Sequence, residues 1–388
     1  GCRGDGGLLL DGNEHRFMPD YEPEKRELAS RDVVSRRMEE HIAAGRGAHS
    51  RFGEHLWLDI RLLGRDHINN QLREVKEICQ YFLGVDPAEE LIPVRPAQHY
   101  SMGGVRTDPR GESPGLRGLF SAGESACWDM HGFNRLGGNS VAETVVAGMI
   151  VGETIADFCD SPEGDLSIST ALIESFARRE RERLAGIADG GGSENAFELI
   201  RLMQETMTDK VGIFRDGNRL QEAVATLQGL LRRSRNLGLR SHARGASPEL
   251  VAAYRVQRML KLALCVAYGG LQRTESRGAH YRADYPQRND RDWMNRTLAT
   301  WPGEEADLPE LAYESLDIMR MELPPGWRGY GARDYIEHPD TARRQAQIDS
   351  VPASAGEPDR FARQERLMPF LHLLPEHLRG RNERLGDE

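Results

Sequence analysis

Arg135 stands in a segment suited to holding a negatively charged group. Residues 134–140 read Asn-Arg-Leu-Gly-Gly-Asn-Ser, and the apolar positions Val141, Val145 and Met149 follow directly. A glycine-rich turn that opens a helix at Asn139, Ser140 and Val141 offers unpaired N–H groups and the positive end of a helix dipole. The paired glycines let another group approach the backbone closely. A guanidinium just ahead of such a turn can clamp a carboxylate through two parallel hydrogen bonds, although alone it more often braces its own turn. Two further candidates lie upstream: His99 in His-Tyr-Ser-Met-Gly-Gly, and Glu124 at the end of Leu-Phe-Ser-Ala-Gly-Glu, where 118–122 reads as a short apolar strand. By residue type alone, His99 is more often a satisfied core histidine. Glu124 is a strand-end carboxylate that could cap a neighbouring helix, and Ser140 could serve only as an N-cap. Together, residues 99–152 make a site for an anion or for the polar edge of a cofactor.

Several elements must position these groups. A glycine-rich, turn-forming stretch covers 1–12, and its Arg3 and Asp5 suit a loop lining a site. A helix is expected from Leu28, with Ser30 as N-cap and Val33, Val34, Met38 and Ile42 as its apolar face. Within it, Arg31 beside Asp32 reads as a local ion pair, and an arginine is by default a poor general acid. Ile68, Leu72, Val75, Cys79 and Phe82 mark one amphipathic helix over 66–82. Pro87 and Pro93 follow as a hinge-like connection. Ser161-Pro162-Glu163-Gly164 reads as a domain boundary. Four helices are then expected over 169–186, 195–211, 218–238 and 248–268, forming an antiparallel bundle. From Asp292 the chain is richer in proline and aromatics, and its charged last ten residues are expected to fray.

At 388 residues, with 29% charged and 39% hydrophobic residues and a net charge of −10, the chain can hold two or three domains with proper cores. Its basic residues are nearly all arginine, with lysine only at 25, 76, 210 and 261. They alternate with acids, as over 178–183, which reads as solvated helix faces rather than a nucleic-acid patch. No apolar run approaches the roughly 20 residues needed to span a bilayer. Cysteines at 2, 79, 127, 159 and 265 are odd in number and form no CxxC pair, which suggests reduced cytoplasmic thiols and no metal site.

The three linked motifs HYSMGG, LFSAGE and HGFNRLGGNS resemble the flavoprotein subunit of fumarate reductase and succinate dehydrogenase. Gly1-Cys2-Arg3-Gly4, Ser30-Arg31-Asp32 and Glu275-Ser276-Arg277-Gly278-Ala279-His280 extend the likeness over nearly the whole chain. VVAGMIVGE and the later MELPPGWRGYGA are most similar to the fumarate reductases that work with a dihaem cytochrome b. The resemblance implies an α/β plus α+β fold. Residues 1–95 would be mainly a capping domain, 96–160 the C-terminal part of a Rossmann-like FAD-binding domain, 161–291 a helical bundle and 292–388 an irregular C-terminal domain.

It also implies FAD as cofactor and interconversion of fumarate and succinate by hydride transfer at the flavin. Arg31 would pass the proton to substrate and Arg3 would feed it, while His99 and Arg135 hold the carboxylates. Glu124, Asn139, Ser140 and Val141 would contact the flavin. Electrons would pass through an iron–sulfur subunit to a membrane cytochrome b, placing the protein peripherally on the cytoplasmic side of the cell membrane. For 275–280 the preferred reading is an Arg/Glu network locking the bundle onto the flavin domain. L-aspartate oxidase is the nearest alternative, opposed by Gly-Gly before Asn-Ser and by the long C-terminal segment. A non-catalytic fragment acting through surface contacts is the other. The GxGxxG fingerprint, a relay glutamate and any flavin-attaching histidine are expected upstream of Gly1. The chain alone is therefore expected neither to bind FAD nor to turn over fumarate, and covalent attachment stays open.

Overall fold

A computed structural model of the chain describes residues 1–51, 53–164, 168–241, 245–316 and 342–343. The motif at 321–332 and the charged end at 379–388 lie outside them. The chain divides into two compact units, Gly1–Pro286 with Trp301–Pro309, and Gln287–Thr300 with Glu310–Glu388.

The first unit begins with an antiparallel sheet. β3 (Gly53–Asp59) pairs with β1 (Leu8–Leu10), β2 (Ala48–Ser50) and β4 (Ile92–Val94). The stretch expected to be only turn thus contains a strand, because Leu8–Leu10 finds Trp57–Asp59 as its partner. α1 (Met18–Tyr21) and α2 (Arg31–His41) cover the sheet, and Phe17, Met18, Val34, Met38, Ile42 and Leu56 form one core. Val34, Met38 and Ile42 fall on the buried face as their spacing requires. Ser30 takes the N-cap position but makes no cap bond, and its hydroxyl is buried without a partner among the described residues. Asp32 instead ties this helix start down, through an i,i+4 pair with Arg36 within the helix and a tertiary bond from Asn134.

The single helix expected over 66–82 is broken. α3 (Arg65–Gln71) ends where Leu72 leaves helical geometry, at φ −121° and ψ 30°, and α4 (Arg73–Ile78) restarts beyond it. A π-helical turn over Cys79–Leu83 then adds a residue per turn and rotates the face. Ile68, Leu72 and Cys79 stay in the core and Leu83 packs beside them, while Phe82 points out, 81% exposed.

The motif region follows. β5 (Val105–Arg106) pairs in parallel with β6 (Ala126–Cys127). The strand expected over 118–122 does not form. The segment folds back on 111–113, where Phe120 makes a single bridge to Glu112 beyond the Asp108–Gly111 turn. α5 (Asn139–Asp160) then runs 22 residues and ends before Ser161, and the first compact unit continues through that point.

α6 (Thr170–Asp189), α7 (Ala196–Lys210), α8 (Gly217–Arg233) and α9 (Pro248–Gln272) match the expected bundle helices closely. Ser169, Asn195, Asp216 and Ser247 cap them by accepting first-turn N–H bonds. The interior of α7, α8 and α9 is built from Leu199, Leu220, Leu227, Leu260 and Leu264. Trp301 and Leu308 pack against that core. In the second unit, α10 (Asp290–Trp293) precedes a hairpin of β7 (Asn295–Thr300) and β8 (Glu310–Ser315), with Trp293 edge-on to Tyr313. No described helix is long and apolar enough to cross a membrane.

Candidate active site

The motifs separated in sequence meet around the turn before α5. The Gly103-Gly104 turn lies against the Gly123–Ser125 turn, where a Cβ on Gly104 would come 2.3 Å from the Ser125 carbonyl oxygen. Only glycine fits there. The Ser101 N–H donates to Glu124 Oε1 at 2.8 Å, tying the two motifs together. Glu124 therefore does not cap a helix. It anchors the His-Tyr loop while remaining exposed.

Gly138, at φ 83°, takes the N-cap position of α5 in the left-handed conformation that glycine permits, and no side chain caps the helix. Ser140 is consequently the second residue of the helix and not its cap. Its carbonyl accepts from Thr144 Oγ1. The N-terminus of a long helix is left with free donors.

Two arginines border this turn. Arg31, the first residue of α2, brings its guanidinium against Gly137, where an added Cβ would lie 3.0 Å from Nη2. The expected pair with Asp32 does not form. Asp32 instead accepts from Arg36 Nη2 at 2.9 Å and from Asn134 Nδ2 at 3.0 Å. Among the described residues Arg31 has no hydrogen-bond or ion-pair partner. Asp32 thus joins α2 to the turn that carries Arg135, and the arginine beside it stays available.

Arg135 is buried, 5% exposed. Its Nη1 donates to its neighbour Leu136's carbonyl at 3.4 Å, and its buried Nε has no partner among the described residues. The turn-bracing role is therefore filled only weakly. The guanidinium lies 4.6 Å from the centre of the Tyr100 ring. His99, just before Tyr100, is exposed. Arg3 donates through Nη1 to the Glu27 carbonyl, in the short helical turn that leads into α2.

A buried carboxylate lies behind the turn. Glu143, 3% exposed, accepts from Trp128 Nε1 at 2.9 Å and Tyr100 Oη at 2.8 Å, with His131 Nε2 at 2.9 Å. Burial pushes its carboxyl up, but these hydrogen bonds and the His131 charge outweigh that and hold it below the ordinary value. Burial and the bond to Glu143 push the Tyr100 phenol up to about 12.

The bundle's end closes the region. Glu275 is fully buried between Arg273 and Arg277, with bonds of 2.7 and 2.9 Å. The loop beyond it bonds back to the motif, where the Ala279 N–H donates to the Phe133 carbonyl, and to α2, whose Arg36 donates to the Gly278 carbonyl. The 275–280 network is structural and locks the bundle to the turn.

Comparison with known proteins names this assembly. A profile described as FAD binding domain matches residues 1–141, and one described as fumarate reductase flavoprotein C-term matches residues 200–330. The fumarate reductase flavoprotein subunit of Helicobacter pylori is 49% identical over the whole chain, which covers 58% of that protein. The chain belongs to the fumarate reductase/succinate dehydrogenase flavoprotein-subunit family. The corresponding subunit of Mycobacterium tuberculosis is 37% identical over 85% of the chain and 58% of its own length. A solved quinol fumarate reductase chain of E. coli superposes with a TM-score of 0.77 at 32% identity, over 85% of this chain and 57% of that one. The chain thus spans a little under three-fifths of the relatives it matches.

FAD is the cofactor that this family membership assigns. The residues present fit its polar edges, with an uncapped helix N-terminus at Asn139, Ser140 and Val141 and an exposed carboxylate at Glu124. Reading the sequence missed Asp32, Asn134, Tyr100, Trp128, His131 and Glu143 as parts of the site. Tyr100, Trp128, His131 and Asn134 lay inside or beside the motifs, whereas Glu143 looked like any polar position on a helix.

Proposed function

We propose that this chain carries the substrate half of a flavoprotein subunit that interconverts fumarate and succinate. Arg135 and His99 hold the substrate carboxylates, and Arg31 gives or takes the proton at the substrate carbon. FAD, when bound, supplies the hydride donor and acceptor, seated by Glu124, Asn139, Ser140 and Val141. Arg3 stands behind Arg31 as the next proton carrier. Electrons pass to and from the quinone pool through an iron–sulfur subunit and a membrane cytochrome b, with the flavoprotein bound peripherally on the cytoplasmic face. The chain divides functionally into the capping segment 1–95, flavin segment 96–160, bundle 161–291 and C-terminal domain 292–388.

One observation carries the reading. Arg31 and Arg135, the second buried with an Nε that has no partner, border the same glycine turn, as judged among the described residues. A buried guanidinium can clamp a carboxylate, and an unpartnered one bordering the same turn is left to meet the substrate carbon.

The test is an assay of the FAD-loaded flavoprotein containing this chain with fumarate plus a reduced dye, succinate plus an oxidised dye, and L-aspartate. Turnover of the first two without the third supports the proposal. Turnover of aspartate alone contradicts it. The isolated 388-residue chain is expected to retain no FAD after desalting.

A further inference from the structure

We infer that Tyr100 and Glu143 are positioning residues for Arg135, an inference that rests on the carboxylate-clamp reading above. Arg135 is a buried cation whose Nε is unpaired among the described residues and whose recorded hydrogen bond is the 3.4 Å contact with Leu136. A guanidinium so placed needs something else to set its plane. The Tyr100 ring lies 4.6 Å beneath it, close enough for a cation–π contact strengthened by desolvation.

The ring is itself fixed. Its hydroxyl donates to Glu143 Oε2 at 2.8 Å, and His131, edge-on to Tyr100 with centroids 5.4 Å apart, meets the same oxygen at 2.9 Å. Trp128 holds the other carboxylate oxygen at 2.9 Å. Three loop residues and one helix residue therefore leave the phenol a single orientation. The carboxylate also places negative charge one ring away from the guanidinium, compensating a cation that no acid touches directly among the described residues. Hydrogen bonding to Glu143 makes the ring face more electron-rich, which favours the cation above it. This arrangement leaves the outer guanidinium donors for a substrate carboxylate.

The experiment is calorimetric titration of malonate into the FAD-loaded flavoprotein containing this chain. Four variants are compared with the parent: Tyr100→Phe, Tyr100→Leu, Arg135→Ala and the double variant Tyr100→Leu/Arg135→Ala. Tyr100→Phe keeps the ring and loses the tether. Tyr100→Leu loses both. Malonate affinity is expected to fall in that order, by about two- to thirtyfold. In the Arg135→Ala background, Tyr100→Leu should cost nothing further, because its effect acts through Arg135. Glu143→Gln, which folds less safely, should follow Tyr100→Phe where it is stable. A purely structural role would lower the melting temperature and cost the same affinity with or without Arg135, and that result overturns the inference. Parent-like binding by both Tyr100 variants, with binding lost in Arg135→Ala, overturns the inference alone. Parent-like binding by Arg135→Ala overturns the clamp reading and this inference with it.

Discussion

The bundle and α5 use helical periodicity in opposite ways. In α7, α8 and α9 the leucines at i, i+3, i+4 and i+7 turn inward, and Leu220, Leu227, Leu260 and Leu264 are fully buried. In α5 the apolar positions Val141, Val145 and Met149 face out, with Met149 65% exposed, while Glu143, Ala147, Val151 and Thr154 are buried. A bundle helix is stable because its stripe is covered. α5 is organised by the site at its N-terminus, where a buried acid gathers three side chains and the first turn stays uncapped. The contrast separates residues that stabilise from residues that position, and it can be broken at several points.

The largest effect belongs to the site. Arg31→Lys in the FAD-loaded flavoprotein should lower kcat by about 10²–10⁴, since lysine keeps the charge but loses the reach and planar geometry for proton transfer. Malonate affinity should stay near that of the parent. A rise in KM with kcat preserved moves Arg31 from proton transfer to binding.

Next comes the bundle. Leu260→Ala should cost about 2–5 kcal/mol in urea denaturation, the price of a cavity in a closed core. A cost comparable to a surface change would show that the bundle interior is looser than its burial indicates.

At the bundle's end, His280 sits against Arg215 Nη1 at 2.9 Å. Burial, followed by the Arg215 charge, lowers its pKa to about 3. Because the folded value lies below the unfolded one, its contribution to stability is complete above about pH 6.5. Between there and about pH 3 it declines by roughly 1.4 kcal/mol per pH unit. Denaturation midpoints at several pH values should show that slope, and His280→Gln should flatten it.

The smallest effect tests the other side of the contrast. Val145→Ala on the outward face of α5 should change the stability of the 388-residue chain by no more than about 0.5 kcal/mol. A loss of several kcal/mol would mean that this face is packed, and the contrast would collapse.

The four bundle helices were legible in number and order, with starts within about two residues, while the ends of the first, third and fourth were misplaced by three to five because helix ends depend on capping contacts that the pattern does not show. Local spacing could not give the break at Leu72 or the π-helical turn that turns Phe82 outward, since both depend on backbone geometry rather than side-chain pattern. The strand expected over 118–122 failed because a strand needs a neighbour, and sequence names no neighbour. In the site, Arg31 and Arg135 were visible through their motifs. Their supports were not. Asp32 reads locally as the partner of Arg31, yet the fold gives it to Arg36 and Asn134. Glu143 has no local signature, since its partners Tyr100, Trp128 and His131 reach it only after the chain turns back.

The central claim is that the turn before α5 is a carboxylate receptor with Arg135 as its clamp. Malonate titrated calorimetrically into the Arg135→Ala flavoprotein tests it most directly. The account predicts a loss of about 2–4 kcal/mol, roughly 30- to 900-fold in Kd, as expected when a buried charge-assisted bidentate contact is removed. Affinity equal to that of the parent, with the protein folded and FAD retained, would contradict it.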